Sequence, residues 1–120
     1  MDIEYLRDYC LSKAAVSEEF PFDDTTLVFK VMGKMFALCP LAKDPLRINL
    51  KCDPERAEEL RESYDSIEPG FHMNKKHWNT LYLEGDVSDK MVLELIDHSY
   101  ELVVSKFSKK LRMELQQYEG

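Results

Sequence analysis

Each change of apolar period along the chain marks a new element. Residues 2–13 place Ile3, Leu6 and Cys10 at helical spacing with Tyr5 and Tyr9 alongside, which predicts a short amphipathic helix. The following SEEFPFDD (17–24) reads as a loop, because Pro21 interrupts a helix and Asp23-Asp24 favours a turn. TLVFKVMGKMFALCP (26–40) then predicts a β-hairpin. Two runs rich in Val and Phe flank Met32-Gly33, and glycine accepts the positive φ of a tight turn. With Val31 and Lys34 bracketing a two-residue turn, Leu27, Phe29, Val31, Phe36 and Leu38 fall on one face. Val28, Lys30, Met35 and Ala37 fall on the other. Pro40 and Pro45 bound a loop, after which RINLKC (47–52) alternates as a half-exposed strand. Ile48, Leu50 and Cys52 point inward, Arg47, Asn49 and Lys51 outward.

Asp53-Pro54 opens a second helix, with Asp as N-cap and Pro at the first helical position. Ala57, Leu60 and Tyr64 mark its apolar stripe. A turn at Glu68-Pro69-Gly70 leads into GFHMNKKHWN (70–79), expected as a loop or one helical turn entering a strand near Trp78. That strand turns Leu81 and Leu83 inward and Tyr82 outward. After a turn at Gly85-Asp86, Ser88 caps the longest helix, about 89–106. Its stripe is Val92, Leu95, Ile96, Ser99, Leu102 and Val103, and residues 108–118 extend it as a basic, frayed tail. The order predicts an α+β fold, an antiparallel sheet of four or five strands covered by helices on one face, in a single domain spanning 1–120.

Composition fits that picture. A chain of 120 residues with 44% apolar residues, six Phe and six Tyr can bury a core without staples. No apolar run approaches the roughly 20 residues that span a bilayer. The N-terminal MDIEYLRDYC carries acids where a signal peptide needs a basic and then an apolar stretch. Cys10, Cys39 and Cys52 are odd in number and lack C-x-x-C spacing, which predicts buried thiols in a reducing cytoplasm.

Charge changes the picture more. A net charge of −7 opposes general nucleic-acid affinity, which needs clustered Lys and Arg to neutralise phosphates. The charges are segregated, however. Lys30, Lys34, Lys43, Arg47 and Lys51 face only Asp44 across residues 27–52, whereas the predicted helices collect the acids. A sheet face or edge can therefore be basic on an acidic protein.

GFHMNKKHWN holds two histidines, two lysines, two asparagines and the only tryptophan, with no acid. His72 and His77 are five apart, which suits neither one helix face nor alternate strand positions. Zinc needs three or four convergent ligands, and His98 is the only other histidine, so no metal is expected. The H, N, H order suggests a nuclease finger, but its spacing is wrong and nearby carboxylates for magnesium are missing. With no G-x-S-x-G elbow and only four glycines, neither an activated nucleophile nor a phosphate loop is indicated. We expect no enzyme and no cofactor. Asn74 and Asn79 fit backbone-capping roles, and Trp78 fits a packing anchor better than a binding plate. The alternative is a basic loop beside an aromatic, suited to phosphates and bases.

Across nearly its whole length the chain resembles the MmcQ/YjbR family of small bacterial proteins. The resemblance rests on EEFPF (18–22), VFKVMGKMFAL (28–38), INLKCDPERAEELR (48–61), PGFHMNKKHWNTL (69–81) and LIDHSYELV (95–103). It implies an α+β fold related to the frataxin-like arrangement, and DNA binding through a double wing of hairpin loops, with no enzymatic activity or cofactor. By position the wings are the hairpin at Met32-Gly33-Lys34 and the loop at Asn74-Lys75-Lys76-His77. The candidate DNA-contacting residues are thus Lys30, Lys34, Arg47, Lys51, Asn74, Lys75, Lys76, His77 and Trp78. Duplex DNA is the expected partner of a monomer away from membranes. The alternative is a protein-interaction or regulatory module for an acidic protein or peptide. Iron binding on an acidic first helix, as the frataxin-like likeness suggests, finds only Asp2, Glu4 and Asp8, a solvated face. The deciding feature is whether the basic residues converge or interleave with helix acids.

Overall fold

The computed structural model describes residues 1–70 and 73–119. The elements run α1 (Ile3–Leu11), β1 (Val16–Glu19), β2 (Thr26–Val31), β3 (Lys34–Pro40) and β4 (Arg47–Lys51). They continue as α2 (Pro54–Ser63), β5 (Ile67–Pro69), β6 (Trp78–Tyr82), α3 (Asp89–Ser105) and α4 (Lys109–Glu119). The fold is α+β, and its six strands form one antiparallel sheet in the order β1-β2-β3-β4-β6-β5. The expected four or five strands fall short because both edges escaped notice. β1 lies at the start of the segment read as a loop, and β5 where a turn was read. Edge strands of four and three residues have too little alternation to stand out.

Helices cover one face. Leu6 and Cys10 of α1, Ala57 and Leu60 of α2, Val92, Leu95, Ile96 and Val103 of α3, and Leu115 of α4 share a core with Phe29, Ile48, Leu50 and Leu81. Expected caps close the helices: Asp53 Oδ2 accepts from Arg56 N (3.3 Å) and Ser88 Oγ from Met91 N (3.1 Å). The C-terminal segment is not a frayed extension. Phe107, 6% exposed, turns into the core and breaks α3, and Ser108 Oγ accepts from Leu111 N to begin α4. Among the described residues, no helix is long and apolar enough to cross a membrane.

The hairpin's face assignment needs correction. A bulge separates Phe29↔Ala37 from Lys30↔Met35, leaving Phe36 as the extra residue. From there on β3 is flipped relative to the expected pairing. Ala37 and Cys39 join the helix-side core, while Leu38 packs with Val28 and Trp78 on the open face. Ser99 explains how the bulge is tolerated. Its hydroxyl donates to the Phe36 carbonyl (2.5 Å) and accepts from Lys51 N (2.9 Å), so a helix side chain replaces a ladder bond between β3 and β4.

Candidate nucleic-acid interface

The β2–β3 turn is built locally. Met32 and Gly33 have φ of 47° and 83°, the type I′ geometry that matches strand twist, and Lys34 emerges exposed beside them.

The loop before β6 is held from outside. Phe71 and His72 lie outside the described residues, so the expectation for a His72–His77 pair is not addressed by them. From Met73 onward the loop is tightly bonded. The Asn74 carbonyl accepts from His77 N (3.1 Å) and Trp78 N (3.0 Å), and its Oδ1 accepts from Lys76 N (2.9 Å). Arg61 of α2 then pins the loop to the sheet. Its Nε donates to Asn79 Oδ1 (2.6 Å), and its Nη2 donates to the carbonyls of Lys75 and Trp78. The His77 carbonyl accepts from Cys52 N (2.7 Å), tying the loop to the end of β4. Gly70 N–H donates to the Trp78 carbonyl, and a Cβ at Gly70 would lie 2.8 Å from Trp78 Cβ, so only glycine allows this approach. Lys75 and Lys76 project into solvent.

The turn and the loop reach the same end of the sheet, since Ala37 pairs with Leu50 and Lys51 with Trp78. Two adjoining clefts lie there. One, of about 220 Å³, is lined by Lys34, Met35, Lys51, Val103, Lys106 and Phe107. The other, of about 330 Å³, shares Lys51 and Lys106 and adds His77, Asp53 and Leu102. Thus Lys34, Lys51 and His77 come together with Lys106, while Lys75 and Lys76 rise from the adjoining loop. Lys106, the C-cap of α3, was missed because it sits 55 positions beyond Lys51 with no local motif. Arg61 was missed as well; an arginine on a helix rich in glutamates reads as solvated.

Other candidates are engaged elsewhere. Lys30 pairs with Glu19 (2.7 Å) on the open face, so its charge is already met. Arg47 lies at the opposite end of β4, its guanidinium 4.7 Å from the centroid of Tyr82. Trp78 is 9% exposed, packed on Val28 and Leu38 with Met35 and Met73 against the cluster, and presents little ring surface.

Reactive groups are quenched by burial. Desolvation pushes the Cys10 and Cys39 thiols up to about 12 and Cys52 to about 11, so all three stay protonated near neutrality. His98 Nε2 accepts from Asp53 N (3.1 Å), and burial, helped by Arg56, holds its imidazole below the usual value. Among the described residues, no three His, Cys, Asp or Glu side chains converge in a metal-binding group.

The sheet with its helices on one face is the fold in which this chain is similar to known proteins. A model of the YjbR family matches residues 11–102, and the chain belongs to that family. It is 32% identical over 112 residues to the uncharacterized protein YjbR of Escherichia coli K12, covering 93% of this chain and 95% of that one. To the uncharacterized protein YbdF of Escherichia coli O157:H7 it is 40% identical over 91 residues, 76% of this chain and 75% of that one. A crystal structure of Deinococcus radiodurans protein DR2400, with a DUF419 domain, superposes with a TM-score of 0.89 at 49% identity. It covers 95% of this chain and 87% of that one.

Proposed function

We propose that this protein is a non-enzymatic DNA-binding protein whose basic sheet end lies along the phosphates of a duplex. The observation that supports it is the convergence at that end. Lys34, Lys51, Lys75, Lys76 and Lys106 form no ion pair among the described residues, and Asp53 is the only carboxylate lining the two clefts. Unpaired cations release counterions when they meet phosphate, which drives sequence-independent binding. The net charge of −7 acts against long-range attraction, so binding is expected at low ionic strength and at short range.

The test is an anisotropy titration of duplex DNA at several salt concentrations with wild type and Lys75→Ala/Lys76→Ala. The variant should melt within about 0.5 kcal/mol of wild type, because both side chains are exposed. Affinity should fall for all sequences alike, and the salt slope should shrink by up to about two. Equal binding by both proteins, or no duplex binding at low salt, defeats this reading and favours an acidic peptide partner.

A further inference from the structure

The smaller cleft differs in kind from the exposed loop beside it. Lys34, Lys51 and Lys106 stand around an apolar floor of Met35, Val103 and Phe107, and among the described residues no carboxylate lines it. None of the three ammonium groups has an ion-pair partner among the described residues, whereas Lys13 and Lys30 elsewhere have Asp97 and Glu19. The frame is firm: Ser99 holds Lys51 N, Val103 and Phe107 are 5% and 6% exposed, and the I′ turn sets Lys34. Three like charges beside an apolar floor repel one another, and a doubly charged anion relieves that repulsion more than a singly charged one. A phosphodiester carries one negative charge, while a terminal phosphate carries close to two at neutral pH.

We infer that this cleft seats a terminal phosphate group, supplied by a free nucleotide or by the 5′ end of a nucleic-acid strand. The strand-end source rests on the DNA-binding reading above; the nucleotide source does not. In either case the adjoining cleft with His77, reached through Lys51 and Lys106, receives the rest of the molecule.

The test compares one short DNA strand with a 5′-phosphate or a 5′-hydroxyl by anisotropy. It also compares adenosine monophosphate with adenosine by amide NMR shifts at Lys34, Lys51 and Lys106. Wild type should prefer the phosphorylated form by about tenfold in at least one arm, the scale of charge-assisted hydrogen bonds. Lys106→Gln and, independently, Lys34→Gln should each abolish most of that preference; both sites are exposed, so folding should persist. Preference in the strand arm alone assigns the strand end, and in the nucleoside arm alone the free nucleotide. No preference in either arm, or a preference that survives both substitutions, overturns the inference. Duplex binding that depends on Lys75 and Lys76 without any end preference defeats this seat alone. End preference without duplex binding defeats the duplex reading alone.

Discussion

The β2–β3 turn and the loop before β6 reach the same end of the sheet by different physics. The turn needs two residues with positive φ and a strand on either side, all within eight or so positions of sequence. The loop needs a guanidinium from α2, the backbone amide of Cys52 just after β4 and a glycine that lets the chain pass against Trp78. A local turn forms wherever its sequence occurs, whereas a loop held by remote groups forms only when the helix and sheet are already assembled. Mutations should therefore act on the turn in isolation and on the loop through the whole fold.

The largest effect should come from Trp78→Ala, which empties the open-face cluster that the indole forms with Val28 and Leu38, while the Cβ and backbone against Gly70 stay in place. A loss of about 3–5 kcal/mol is expected from urea unfolding. A loss under 1 kcal/mol would mean that the open face is not a second core.

Arg61→Ala comes next. It leaves Asn79, 1% exposed, without the donor to its Oδ1, frees the carbonyl of Lys75, and leaves the Trp78 carbonyl with Gly70 N–H alone. Losing charge-assisted bonds at a buried partner should cost about 2–4 kcal/mol. Hydrogen exchange sharpens the comparison. The amides of His77 and Trp78 should lose protection in this variant, while those of Val31 and Lys34 keep theirs.

Gly33→Ala tests the turn. An alanine at φ of 83° should cost about 1–2 kcal/mol with no change in protection at Trp78. Gly33→Asn should recover part of the loss, because asparagine tolerates the left-handed region.

The smallest effect concerns the helix that carries Arg61. Neutral His98 Nε2 accepts the Asp53 amide at the start of α2, and the protonated ring cannot. Burial and Arg56 lower the imidazole in the folded chain from its ordinary 6.5, and Asp53 and Glu101 only partly oppose this. The unfolded chain therefore takes up the proton first as pH falls. This contact's stabilisation is complete above the ordinary value and is lost as pH drops below it toward the folded one. The urea midpoint should fall between about pH 7 and about pH 5 more in wild type than in His98→Gln, whose Oε1 accepts at any pH.

These contrasts show where a sequence is legible. Most of the helix stripes (Leu102 is only partly buried), the Asp53 and Ser88 caps, the Met32-Gly33 turn, the alternation of β4 and the inward Leu81 of β6 were readable, because each depends on neighbours within a few positions. Neither the edge strands nor the Phe36 bulge was, because pairing and Ser99 impose them from across the sheet. The same division runs through the candidate site. Lysine-rich segments were visible as local excesses of charge. Which lysines are unpaired and adjacent was decided by folding, which spent Lys30 on Glu19, carried Arg47 to the far end, and brought Lys106 beside Lys34 and Lys51. Short-range steric and hydrogen-bonding preferences act along the chain and can be read from it; charge proximity acts through space and exists only once the sheet and helices have closed on their core.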